Sequence, residues 1–142
     1  MRSILALALL VVPAALVAED KKPDADLKAM AGKWTVEKIE FDGTDVTNVF
    51  KGSTFVIADG KYTSLTGTKK VTGTISVDSG KDPKEMDMKS DQEPNKPANK
   101  TIYKLDKDTL TVCHAFKDAP RPTTFDAKPG SKLTIFTYKR AK

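Results

Sequence analysis

The chain has one cysteine, one histidine and one tryptophan in 142 residues, and aromatic side chains make up 7% of it. A single cysteine excludes an internal disulfide, so stability has to come from backbone pairing and an apolar core. Without a pair of cysteines or histidines, the ligand spacing of a zinc site is absent. No Gly-rich phosphate loop, no Ser-His-Asp order and no cofactor motif is visible, and no internal repeat or low-complexity tract appears. Past residue 18 there is no long apolar run, which leaves nothing to span a membrane once the start of the chain is set aside.

That start is the one strongly apolar stretch. Arg2 supplies a positive charge, residues 4–17 are almost wholly apolar, and Ala18 offers a small residue before Glu19, Asp20, Lys21 and Lys22. This is the pattern of a secretory signal peptide, and it predicts export to the periplasm, the cell surface or the medium. The expected division is a signal peptide over 1–18, a linker over 19–26 and one β-barrel domain over 27–142. Taking 18 residues from 142 leaves 124, enough for one modest core. It also leaves 23 basic residues against 19 acidic ones, a charge of +4. Lysines alternate with aspartates and glutamates along every segment, which describes a solvated surface. No aromatic-rich basic stripe exists, and the reading excludes nucleic acid as a partner.

The rest of the chain is organised around residues 100–125, KTIYKLDKDTLTVCHAFKDAPRPTTF. Two alternating runs, Thr101–Leu105 and Thr109–Phe116, flank a polar link, which predicts a β-hairpin. A Pro-Arg-Pro corner then leads into a third short run. Upstream, residues 23–31 read as a short helix stopped at Gly32, and Lys33–Phe41 as a strand ending at the Asp42-Gly43 turn. Val46–Phe50 reads as a weak strand or loop. Ser53–Ala58 and Lys61–Leu65 form a hairpin about Asp59-Gly60, a pair suited to the positive φ of a type I′ turn. Lys70–Asp78 alternates through Val71, Gly73, Ile75 and Val77; Lys84–Lys89 has Met86 and Met88 on one side. Ser90–Asn99 is an exposed polar loop, Pro129-Gly130 a turn, and Lys132–Arg140 a last strand. About eight strands joined by short links make an all-β antiparallel up-and-down meander with a short N-terminal helix. A sheet that long removes its edges by closing, and an eight-stranded barrel has an interior filled by side chains or able to hold one small ligand.

Gly32-Lys33-Trp34 on the first strand, after a short helix, is similar to the G-x-W signature of lipocalins. Arg140 on the last strand matches the arginine that packs across that tryptophan in the fold. Further along stand Gly60-Lys61-Tyr62, Asp82-Pro83-Lys84 with Met86-Asp87, Ile102-Tyr103 with Leu105, Leu110 with Cys113, Arg121-Pro122 with Phe125, and Tyr138-Lys139-Arg140. In that order they resemble a lipocalin-like domain family of uncharacterised function abundant in planctomycete bacteria. The resemblance covers residues 27–140 and implies a barrel closed by Trp34 and Arg140. It implies no activity and no ligand.

The remaining site candidates come from the residues themselves. His114 shares a strand side with Leu110, Val112 and Phe116, so it enters the barrel if that side faces inward; Cys113 then faces the other way as a small buried apolar filler. Arg121, fixed between prolines, suits a salt bridge to Asp87 or Asp126, or a grip on an anionic ligand. Tyr103, with Tyr62 and Tyr138, is a candidate pocket wall. Arg121, Tyr103 and His114 are therefore the candidate ligand contacts; no catalytic residue, metal or cofactor is assigned. The leading expectation is a monomeric, non-enzymatic exported module for a small apolar or amphipathic ligand. The alternatives are a filled barrel that contacts another exported protein, and a hydrolase using Asp87, His114 and Arg121, which requires those three in one cleft.

Overall fold

The computed structural model describes residues 24–116 and 119–142. The signal-peptide reading therefore lies outside the described residues. A five-residue helix, α1 (Ala25–Ala29), precedes nine strands: β1 (Gly32–Phe41), β2 (Thr44–Asp45), β3 (Thr54–Ala58), β4 (Lys61–Thr66), β5 (Lys69–Asp78), β6 (Lys84–Ser90), β7 (Asn99–Asp106), β8 (Thr109–Ala115) and β9 (Leu133–Arg140). Each strand from β3 to β9 pairs antiparallel with the next, β1 pairs with β3, and β1 also pairs with β9 from Trp34↔Arg140 to Phe41↔Thr134. The sheet is an eight-stranded closed barrel, with two-residue β2 appended to the end of β1.

The turns follow the local chemistry. Asp59 and Gly60 both have positive φ (51° and 72°), as do Asp42 and Gly43 (47° and 84°), the backbone that a two-residue hairpin link requires. Two short stretches lie outside the ladder: the weak strand or loop expected over Val46–Phe50, and the short run after the Pro-Arg-Pro corner. Thr47–Phe50 is a single 3-10 turn, started when Thr47 donates to and is held by Asp45, its N–H and hydroxyl both reaching Asp45 Oδ1 (2.9 and 2.5 Å). Those local bonds compete with a sheet ladder. The run after the Pro-Arg-Pro corner also pairs with nothing; residues 119–132 lie as a strap across the outside of β7, β8 and β9. Pro120 and Pro122 lack the N–H a ladder needs, and Phe125 and Ala127 pack instead on Ile102, Cys113 and Ile135.

Alternation sorts the side chains into two cores. Inside lie Trp34, Phe55, Ile57, Tyr62, Ile75, Met86, Tyr103, Leu110, Val112 and Tyr138, with Met30 of the helix end plugging them from below. Trp34 Nε1 donates to Met30 O (2.9 Å). The Arg140 guanidinium sits 4.3 Å from the Trp34 ring and donates to Ala29 O (2.8 Å), Ala31 O (3.1 Å) and Lys107 O (3.2 Å). One planar fork thus stacks on the indole and also caps carbonyls from the helix end and the β7–β8 turn, a combination an ammonium lacks. Asp24 caps α1 through Asp26 N (2.9 Å) and accepts from Ser79 N and Oγ (3.0 and 2.8 Å), tying the helix to the β5–β6 turn. Burial alone pushes its carboxyl upward, but the bonds from Ser79 and Asp26 and the charge of Lys84 outweigh it and hold the group below the usual aspartate value. This end of the barrel is closed.

Candidate functional site

The opposite half of the barrel is hollow. A cavity of about 300 Å³ opens towards the end away from α1, above the layer that contains Trp34, Tyr103 and Leu110. Its walls come from inward positions of seven strands: Phe55 of β3, Tyr62 and Ser64 of β4, Val71 of β5, Met88 and Ser90 of β6, Asn99 of β7, Val112 and His114 of β8, and Phe136 and Tyr138 of β9. Glu93 and Pro97 of the β6–β7 loop reach over its rim. The rings pack on one another around it. Phe55 lies 5.3 Å from Tyr138, Tyr138 stacks on Phe136 at 5.8 Å, and His114 meets the Phe136 ring edge-on at 5.1 Å.

His114 is one of the polar groups of this wall. Its Nδ1 lies 2.9 Å from Asn99 Nδ2, a donor, so Nδ1 accepts and the ring proton sits on Nε2. Burial lowers its pKa to about 4, so the imidazole is neutral at physiological pH. Burial likewise raises the Tyr138 phenol, and it raises Tyr62 despite an opposing hydrogen bond from Ser90. The three groups face the cavity as neutral hydrogen-bonding groups.

The three candidate ligand contacts do not converge. His114 faces the cavity. Tyr103 is buried at the closed end, where its hydroxyl donates to Asp26 Oδ2 (2.8 Å), shared with Lys84 Nζ (2.8 Å); burial first, then Asp26, raises its phenol. Arg121 is on the outside. It donates to Thr101 O (2.7 Å), Met86 O (3.3 Å) and Asp87 Oδ1 (2.7 Å), with Glu85 Oε1 3.6 Å from Nε. Of its two expected carboxylate partners it takes Asp87, and Asp126 pairs with Lys128. Parity is the reason: Met86 and Met88 point inward, so Glu85 and Asp87 point outward. Asp87 and Arg121 therefore lie across the sheet from His114, and the cleft a hydrolase needs is not formed by these three. Cys113, on the face opposite His114, is fully buried under the strap with Sγ 3.6 Å from Thr124 O, and burial raises its thiol to about 11. Among the described residues no group of three or more His, Cys, Asp or Glu side chains gathers as a metal site.

Sequence reasoning named Tyr62 and Tyr138 as wall candidates but missed Phe55, Ser64, Val71, Met88, Asn99 and Phe136. All of these lie on the inward parity of their strands, so alternation could have placed them inside. It could not say which half of the barrel would be filled.

An eight-stranded antiparallel barrel, floored by an N-terminal helix and an Arg–Trp pair and hollow at its other end, is a lipocalin-like fold. The chain is similar to a solved lipocalin-like protein from Bacteroides uniformis ATCC 8492, with a TM-score of 0.53 and 11% identity over 80% of this chain and 99% of that one. A DUF4847 family protein from Bacteroides vulgatus ATCC 8482 aligns with a TM-score of 0.49 and 16% identity, over 80% and 94% of the two chains. At 11% identity the likeness to the first is one of fold. No protein-family profile and no curated protein matches the sequence.

Proposed function

We propose that this chain is an exported, non-enzymatic binding module that carries a small amphipathic molecule in the open half of its barrel. The observation that carries the reading is the cavity of about 300 Å³ with an aromatic wall and a few polar groups at its rim. A ligand site is a concave, mostly apolar space with a small number of placed polar groups, and this cavity has that composition. A barrel built only for interaction would be filled at both ends, whereas here packing stops midway. The closed end gives the hollow half a rigid floor, since Trp34, Tyr103 and Leu110 are at most 1% exposed. Export rests on the pattern of residues 1–18.

The test is native mass spectrometry of the mature protein purified from its own host, beside the variant Val71→Trp, which places an indole in the cavity. The wild type should carry an added small-molecule mass that leaves on denaturation, and the variant should be clean. A bare wild-type mass across preparations would overturn the proposal.

A further inference from the structure

The charge of the cavity, as distinct from its existence, selects among ligands. We infer that the site takes a small neutral molecule with an aromatic or aliphatic body and a hydroxyl or carbonyl group, and that it rejects carboxylates, sulfonates and phosphates. This rests on the cavity being the binding site and adds the chemical class of its occupant.

Three observations carry it. First, among the described residues neither lysine nor arginine lines the cavity. This is notable in a chain with 24 basic residues, and parity explains it. The lysines next to the cavity-lining positions stand on outward-facing positions: Lys89 lies between Met88 and Ser90 and donates to Lys96 O, and Lys70 precedes Val71. Second, among the described residues the formally charged group on the wall is Glu93, an acid at the rim already paired with Lys96. Held by its own counter-charge, it adds no cation to the wall for an anionic head group to meet. Third, His114, the remaining group able to become a cation there, has its Nδ1 occupied by Asn99 and presents one Nε2–H. Its pKa of about 4 keeps it neutral. What the wall offers is therefore a neutral N–H, the phenols of Tyr62 and Tyr138 and the hydroxyl of Ser64; the Ser90 hydroxyl is already bonded to Gln92. Such groups can satisfy a hydroxyl or carbonyl. A buried carboxylate needs a counter-charge as well as hydrogen bonds, and with neutral donors alone its desolvation is not compensated.

The experiment compares 2-naphthol, 2-naphthoate and 2-naphthylmethylammonium, three probes with the same ring system and different head-group charge. Binding at pH 7 is followed by calorimetry, with the Val71→Trp variant as the blocked control. The neutral probe should bind, and the carboxylate should bind at least about tenfold more weakly, given the uncompensated burial of its charge. The ammonium should not exceed the neutral probe, because Glu93 is already paired. In Ser64→Lys, which places a cation on the wall, the carboxylate should gain and the order of the first two probes should narrow or reverse. Binding of 2-naphthoate as tight as that of 2-naphthol, or tightest binding of the ammonium, overturns the charge inference while leaving the cavity as the site. If none of the probes binds, or if Val71→Trp binds them as well as wild type, the cavity reading falls with it.

Discussion

Replacing Arg121 by Met should open the strap and expose the protein's single thiol. The guanidinium joins two parts of the molecule that share no ladder bonds: the Pro120–Pro122 corner and the outer face of β6 and β7. Its bond to Thr101 O (2.7 Å) is charge-assisted and contributes about 1.5–3 kcal/mol. The pair with Asp87 (2.7 Å) involves side chains that are 20% and 39% exposed; solvent screens it, and it adds about 0.2–1 kcal/mol. Met86 O keeps a second donor in Thr101 Oγ1 (2.9 Å), so losing Arg121 there costs little. The total is about 2–4 kcal/mol, and a tenfold change in an equilibrium corresponds to about 1.4 kcal/mol, so the open population should rise roughly 30-fold to 700-fold. Cys113 lies directly beneath, 0% exposed, against Phe125 and Ala127. Its reaction with a thiol reagent such as 5,5′-dithiobis(2-nitrobenzoate) reports opening with no competing cysteine. The variant should label faster by about that factor while its far-ultraviolet circular dichroism stays that of the intact barrel, since local opening draws on a smaller unit than global unfolding. An increase below about threefold, against that free-energy scale, or one that only tracks loss of strand signal, would refute the claim that Arg121 holds the strap.

Two other perturbations test the interior. Gly73→Ala should destabilise by about 3 kcal/mol or more, measured by urea unfolding, because its Cβ would lie 2.0 Å from Lys89 O and 2.7 Å from Tyr62 Cε1, and backbone atoms cannot yield as a flexible side chain does; stability within 1 kcal/mol of wild type, a surface-like value, would contradict that packing. His114 takes up a proton near pH 6.5 when unfolded and only near 4 in the fold. The unfolded state therefore binds more protons between those values. Stability is full above about 6.5 and falls by up to about 1.4 kcal/mol per unit as the pH drops to 4, less where cavity water solvates the ring. His114→Gln should flatten the wild-type slope in that window; identical slopes would mean that the ring is solvated and titrates normally.

The residues that close the barrel were legible in the sequence because each carries a local signal. Alternation in 69–78 and 109–115 places Val71, Ile75, Leu110 and Val112 on one face. Asp59-Gly60 fixes a hairpin, and Gly32-Lys33-Trp34 with Arg140 marks where the first and last strands meet. The inward direction of His114 and the burial of Cys113 follow from the same parity. The candidate site was less legible. Whether Arg121 grips a ligand or a strand depends on which carboxylate stands opposite, and that is set by the β6–β7 register and by the path of a strap with no period of its own. Tyr103 and Tyr138 have the same chemistry and the same inward parity, yet Asp26 of α1 meets only the first. The extent of the hollow is likewise a three-dimensional quantity. It depends on how far Met30, Trp34 and Leu110 fill a closed tube from one end, and on a polar loop whose Glu93 and Pro97 come to rest at the other. Side-chain direction is a local property that the chain carries residue by residue. Which directions meet, and how much space they leave, arises only once the eight strands have closed on one another.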